Sequence, residues 1–138
     1  MPFEYHSMVS GGDVRPSRFI KVSTAADYTC LEADANEAVI GISTNATRDA
    51  PIPNADTDAA EAGDDLHYHP IGSVCQLELA GTVTRGDEIK SDADGKGVVR
   101  ATTGTTLQNF GAIALESGVS GEFIQVLVVR GSIYPALS

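Results

Sequence analysis

The chain contains no tryptophan and only eight other aromatic residues, four phenylalanines and four tyrosines, among 138 positions. A core must therefore be built mainly from Val, Ile, Leu and Ala. Side chains of that size favour a thin β-barrel or β-sandwich over a broad helical core. At this length the chain can bury a core of its own, and we expect a single domain.

Basic residues are also scarce. Nine Lys and Arg face 19 Asp and Glu, which gives a formal net charge of −10. Binding to nucleic acid requires clustered cations, so no nucleic-acid partner is expected. The same charge makes copies of the chain repel each other at long range. Any self-association must therefore use apolar or strand-edge contacts.

Only two cysteines are present, and neither belongs to a CxxC motif. Cys30 and Cys75 fall in or beside apolar runs, and we predict that both are buried free thiols. No apolar run approaches the length of a membrane span, and the first twenty residues lack the apolar segment of a signal peptide. We expect synthesis in a cytoplasm, without obvious export, and no membrane partner.

Motifs of catalysis are absent as well. The sequence has no G-x-S-x-G, no phosphate-binding loop and no paired carboxylates in an apolar setting, so we predict no enzymatic activity and no cofactor. His67 and His69 would lie on one face of a strand, about 7 Å apart. They are weak metal candidates because no third ligand motif accompanies them. A small metal-binding β-barrel stays open as an alternative.

The sequence does contain runs in which apolar and polar residues alternate, which is the pattern of β-strands. Cys75, Leu77 and Leu79 share one face of a predicted strand, and Gln76 and Glu78 share the other. Asp-Gly and Ser-Gly pairs separate such runs, as turns between antiparallel strands do. We therefore predict an all-β fold, a single small β-barrel or β-sandwich of about seven to eight mostly antiparallel strands. The predicted strands are 18–23, 28–31, 37–43, 71–79, 87–89, 97–102, 109–115 and 122–129.

The rest of the chain is less regular. Residues 1–16 lack sustained periodicity and are predicted to form an extended N-terminal arm, followed by a β domain over 17–138. Within that domain, 44–70 is predicted to be a long, irregular, acidic loop. Gly41 and Gly111 lie inside apolar runs, where glycine marks a bulge, a bend or a close backbone approach.

Four motifs follow one another in the second half of the chain. They are a Gly-x-Val-x-x-Gly-Asp turn at 81–87, an Asp-x-x-Gly-Lys hairpin at 92–96, a glycine-containing apolar strand at 111–114, and a Gly-Glu turn at 118–122 before the Val-rich 123–129. From Arg18 to Val129 the chain resembles the small capsid decoration, or cement, proteins of tailed bacteriophages.

The resemblance implies a β-barrel-like structural protein of the virion. It would bind the outer surface of an assembled phage capsid and stabilise it. Its partners would be the major capsid protein and its own copies, with which it would form a homotrimer. Position and chemistry suggest aromatic, apolar and basic residues near the ends of the chain as capsid or intersubunit contacts. These are Phe3, Tyr5, Met8, Arg15, Arg18, Ile133, Tyr134 and Leu137.

A second resemblance provides another alternative. A similar Gly-Asp turn between strands occurs in biotinyl and lipoyl carrier domains, which present a modifiable lysine at a hairpin tip beside methionine. Lys96 follows Asp94-Gly95 here, but without the neighbouring methionine. A carrier-type module modified at Lys96 is therefore the less favoured prediction.

Overall fold

The computed structural model describes residues 6–44 and 60–135, and all ten regular elements found in these ranges are β-strands. No helix in the described ranges is long and apolar enough to cross a membrane. The all-β prediction is confirmed, but the expected number of seven to eight strands is wrong. In chain order the strands are β1 (His6–Ser10), β2 (Phe19–Val22), β3 (Thr29–Glu32), β4 (Gly41–Ser43), β5 (Asp65–Pro70), β6 (Val74–Glu78), β7 (Glu88–Ser91), β8 (Gly97–Val99), β9 (Gln108–Ala114) and β10 (Phe123–Ile133).

The first five strands form a closed barrel in the order β1-β3-β2-β4-β5. Strand β1 closes it, because it pairs antiparallel with β5 and parallel with β3. Met8 lies opposite Leu66 in the first pair, and Val9 lies opposite Thr29 in the second. The other strand pairs of the barrel are antiparallel.

The two strands that sequence reasoning missed, β1 and β5, both belong to this barrel. Residues 6–16, assigned to an extended arm, contribute β1 and the fully buried Val14. The Val14 N–H donates to the Ala60 carbonyl at 2.9 Å, and the Ala60 N–H donates back at 3.2 Å. Likewise, Asp65–Pro70 is part of the barrel and not of an irregular loop. The rest of the predicted loop lies partly outside the described residues.

Small apolar side chains fill the barrel. The buried cluster inside it consists of Val14, Ile20, Cys30, Ala60 and Leu66, with Met8, Ile40 and Tyr68 packed against them. A five-stranded barrel has a narrow interior, which side chains of this size can fill without a cavity. The scarcity of aromatic residues and the fold are therefore consistent with each other.

The last five strands form an antiparallel sheet in the order β6-β10-β9-β7-β8. An isolated bridge between Leu79 and Gly97 brings the two edge strands together at one end of the sheet. Leu77 and Leu79 are fully buried, as the alternation predicts, whereas Gln76 and Glu78 retain partial exposure on the other face.

The barrel and the sheet share one hydrophobic core. Phe19, Val39 and Ile42 of the barrel belong to the same buried cluster as the inward side chains of the sheet. Gly111 of β9 lies against them, and a Cβ at this position would be 2.3 Å from Val39 Cγ2 and 2.8 Å from Phe19 Cε1. Of the three roles that the sequence left open for Gly111, a bulge, a bend or a close approach, the structure shows a close approach, because only glycine leaves room for the two layers to meet.

Candidate interaction surfaces

Two of the predicted contact residues near the end of the chain lie at the surface. Ile133 ends β10 and is 38% exposed, and Tyr134 follows it with 68% exposure. Met8, by contrast, is half-buried and packs against the interior of the barrel. Phe3, Tyr5 and Leu137 lie outside the described residues. The contact role of all these residues stays a prediction.

Arg15 is held by Glu32 of β3. Its Nη2 donates to Glu32 Oε1 at 2.6 Å, its Nε donates to Oε2 at 3.2 Å, and its backbone N–H donates to the same Oε2 at 3.0 Å. The hydrogen bond to Glu32 and the attraction of that carboxylate raise the pKa of Arg15 despite partial desolvation. The side chain nevertheless remains 42% exposed, so part of the guanidinium faces solvent.

Arg18 joins the barrel to the sheet. Its side chain is only 7% exposed, and its Nε and Nη2 donate to Glu78 Oε1 of β6 at 3.2 and 3.1 Å. Its Nη1 donates to the Asp94 carbonyl at 2.9 Å, in the turn between β7 and β8. Lys96 Nζ lies 3.5 Å from the second oxygen of Glu78. Arg18 therefore forms hydrogen bonds within its own chain both to β6 and to the turn between β7 and β8.

The turn that receives Arg18 is built as the sequence predicts. Gly95 has a φ of 79°, a conformation that glycine adopts readily, and Asp92 Oδ1 accepts hydrogen bonds from the N–H groups of Asp94 and Lys96. The predicted Asp-Gly hairpin is thus confirmed. Lys96 lies after the turn beside Glu78, so its ammonium group is not displayed alone at a hairpin tip.

The outer face of the sheet carries an apolar surface that sequence reasoning did not assign to function. Val74, Leu127 and Ile113 are partners across β6, β10 and β9, in one row. Val74 is 52% exposed. Phe123 and Leu115, which are 51% and 49% exposed, lie next to the polar Gln125 on the same face. We call these five residues the outer apolar face. The alternation in the sequence could have indicated this face, because Val74, Phe123 and Leu127 alternate with the core residues of β6 and β10.

The histidine pair lies on β5. His67 is exposed and His69 is half-buried. Across residues 6–44 and 60–135 there is no group of three His, Cys, Asp or Glu side chains that could hold a metal ion. In the described part of the chain, the geometry therefore gives the metal-binding alternative no support.

Both cysteines are free and buried, as predicted. Cys30 lies inside the barrel and Cys75 in the core shared with the sheet. Burial disfavours the charged thiolate, which raises the pKa of Cys30 to about 11 and that of Cys75 to about 12. Neither thiol is activated for nucleophilic chemistry.

The described residues thus define an all-β protein in which a closed five-stranded barrel and a five-stranded antiparallel sheet share a core. No family model matches the sequence, and no curated protein sequence matches it. Among solved structures, the chain is similar to the crystal structure of the head fiber gp8.5 N base of bacteriophage phi29. The TM-score is 0.63 at 16% sequence identity, over 94% of this chain and 97% of that chain. At this identity, the similarity is one of fold.

Proposed function

We propose that this chain is a structural virion protein that binds the outer surface of an assembled phage capsid and stabilises it, as a homotrimer. The observation that carries the proposal is the similarity of fold to a head fiber base, which extends over nearly the whole of both chains. The order of turn and strand motifs between Arg18 and Val129, which resembles capsid decoration proteins, supports the same role independently.

The surface of the described chain suits binding to other proteins. Exposed apolar side chains that lie next to one another mark interaction sites more often than isolated ones do. The outer apolar face combines three exposed apolar side chains, Val74, Leu115 and Phe123, with the half-buried Ile113 and Leu127 on an antiparallel sheet. Ile133 and Tyr134 add exposed apolar surface at the end of β10. We assign the capsid and intersubunit contacts to these two regions and to the predicted terminal residues.

Stabilisation follows from mass action. A protein that binds the assembled lattice, and not its dissociated subunits, shifts the equilibrium towards assembly. A trimer that engages three equivalent sites gains further affinity, because the second and third contacts form at a high effective concentration. A modest affinity at each site is therefore sufficient for stable attachment to the capsid.

Co-sedimentation with capsids assembled from the major capsid protein of the same phage tests the proposal. Saturable binding at a fixed ratio to the capsid protein is the expected result. Val74→Ser and Tyr134→Ser should each weaken it. Val22→Ser and Tyr28→Ser are matched controls, because these side chains are 52% and 83% exposed on the barrel and should leave binding unchanged. Failure of the unaltered chain to bind mature, expanded capsids would refute the capsid role.

The predicted arm can be tested by removing residues 1–5 alone. A larger deletion up to residue 16 would also remove β1 and Val14, and with them one wall of the barrel. The trimer is tested separately by sedimentation equilibrium of the purified chain. A particle of three times the chain mass is expected, and a monomer at micromolar concentration would contradict the trimer in solution.

A further inference from the structure

The C-terminal half of β10 has a neighbouring strand on one side only. Strand β6 pairs with Phe123–Leu127, and the last hydrogen bond on this side runs from the Gly72 N–H to the Val128 carbonyl at 2.7 Å. On the other side, β9 remains paired with β10 as far as Ile133. Among the described strands, residues 129–133 therefore form a free edge of the sheet, and we call them the β10 edge.

The backbone of the β10 edge is available for a further strand. Apart from its pairing with β9, none of its N–H or C=O groups forms a hydrogen bond within residues 6–44 and 60–135. Arg130, Ser132 and Ile133 are exposed, so solvent reaches this edge. Uncovered edges are templates for strand pairing, and extended segments of proteins bind to them by adding a strand.

The two faces of the β10 edge differ in chemistry. Gly131 and Ile133 alternate onto one face, where the ring of Phe110 lies against Gly131. Arg130 is exposed on the other face and forms no ion pair among the described residues. A matching strand should therefore carry apolar side chains on one face and a carboxylate on the other, because opposed residues of neighbouring strands interact in pairs.

The first five residues of the sequence have this pattern. Phe3 and Tyr5 would share one face of a strand, and Glu4 would lie on the other. Pro2 lacks an N–H group, but it would remove only one donor near the end of the added strand, where proline is tolerated. Five residues also match the length of the β10 edge.

One register satisfies both faces. In an antiparallel arrangement with Glu4 opposite Arg130, Phe3 lies opposite Gly131. The glycine has no side chain to obstruct an aromatic ring, and aromatic side chains commonly cover glycines at sheet edges. The carboxylate of Glu4 then faces the unpaired guanidinium of Arg130, so charge and shape agree.

We propose that residues 1–5 of one copy add as an antiparallel strand to the β10 edge of a neighbouring copy. This inference rests on the proposed homotrimer and is separate from capsid binding. Each copy gives one strand and receives one, so the contact is head-to-tail, and contacts of this kind form a closed ring when the rotation between copies allows it. Backbone hydrogen bonds hold together chains whose formal net charge of −10 makes them repel each other at long range.

A cysteine pair tests the contact directly. Directly opposed residues of antiparallel strands have Cα atoms about 4.5–5.5 Å apart, within the range of a disulfide. Oxidation of a Glu4→Cys/Arg130→Cys variant should therefore link the chains into covalent trimers on a non-reducing denaturing gel. Glu4→Cys/Arg85→Cys is the matched control, since Arg85 is exposed on a different turn, and it should remain unlinked. A disulfide within one chain, or equal linking in the control, would overturn the inference.

Charge reversal tests the same register without a covalent bond. Glu4→Lys and Arg130→Glu should each raise the concentration at which half of the chains are trimeric by about twofold to fivefold, and the double variant should recover most of the loss. Arg85→Glu changes the net charge as Arg130→Glu does and should leave this concentration unchanged. Equal effects of the two arginine variants, or no recovery in the double variant, would contradict the pairing.

Removal of residues 1–5 separates this inference from the proposed function. The shortened chain should be monomeric by sedimentation equilibrium and keep the circular dichroism spectrum of a folded β protein, because β1 begins at His6. A shortened chain that remains trimeric would overturn strand addition alone and leave the trimer and the capsid role in place. A monomeric full-length chain would overturn the trimer and this inference together, whereas its binding to capsids is measured independently by co-sedimentation.

Discussion

Phe19 and Ile20 are neighbours in β2, yet their side chains belong to two different hydrophobic cores. Ile20 points into the barrel with Cys30 and Leu66, and Phe19 points out of it into the core shared with the sheet. Both side chains are fully buried. A strand places successive side chains on opposite faces, so one four-residue strand serves as the wall between the two cores.

Phe19→Ala is therefore expected to loosen the sheet from the barrel. Removal of a fully buried phenylalanine costs about 3–5 kcal/mol, because the transfer free energy is lost and a cavity remains. Phe123→Ala, at a position that is 51% exposed, should cost less than about 1 kcal/mol. Urea unfolding of both variants measures the difference. Similar unfolding midpoints would show that Phe19 does not support the shared core.

Gly111→Ala tests the close approach of the two layers. The added methyl group would lie 2.3 Å from Val39 Cγ2, so the layers must separate or Val39 must change rotamer, and a loss of about 1–3 kcal/mol is expected. Gly81→Ala is the matched control, since the nearest atom to a Cβ there is Val98 Cγ1 at 3.8 Å. Thermal unfolding should separate the two variants clearly. A Gly111→Ala protein as stable as Gly81→Ala would contradict the packing described for β9.

Local signals in the sequence predict much of this fold. Alternation in 71–79 predicts the buried face of β6, and Asp94-Gly95 predicts the turn between β7 and β8, because both patterns depend on neighbouring residues alone. All eight predicted strands coincide with strands of the structure, at boundaries that differ by several residues in places. The sequence therefore predicts a strand wherever a run of residues alternates between apolar and polar or is uniformly apolar.

The pairing of strands that are distant in the sequence cannot be predicted from such local patterns. Strand β1 is short and gains its stability from β5, whose residues lie more than fifty positions further along the chain, as in the pair Met8–Leu66. The ion pairs of Arg15 with Glu32 and of Arg18 with Glu78 depend on the same tertiary arrangement. Neither ion pair could be predicted from the sequence for that reason.

The two thiols provide a test of burial that is independent of unfolding free energies. At about pH 8, a thiol-specific reagent should leave Cys30 and Cys75 unmodified in the folded chain and label both rapidly after denaturation. Rapid labelling of either cysteine under native conditions would contradict its place in the core.

Burial of the same thiols makes stability sensitive to alkaline pH. Their folded pKa values, about 11 and about 12, lie above the ordinary value of 9.0. The unfolded chain therefore loses these protons first, so their contribution to stability is complete below pH 9.0 and falls as the pH rises towards 11 and 12. Urea unfolding across this range should show a steeper decline for the unaltered chain than for a Cys30→Ala/Cys75→Ala variant. Equal slopes would contradict the prediction.

Arg18→Ala tests whether the joint between barrel and sheet depends on one buried cation. The substitution would leave Glu78 without its main partner at 18% exposure, where Lys96 at 3.5 Å provides only part of the compensation. Loss of one partner of a largely buried pair is strongly destabilising, and about 3 kcal/mol is expected. Lys21→Ala should cost only about 0.2–1 kcal/mol, because its partners Asp34 and Glu37 are more exposed and remain hydrated when the cation is removed.

A double variant, Arg18→Ala/Glu78→Ala, should recover part of the loss in urea unfolding, since it removes the uncompensated carboxylate. If the double variant were less stable than Arg18→Ala by the full cost of a second independent substitution, the two residues would not act as a pair.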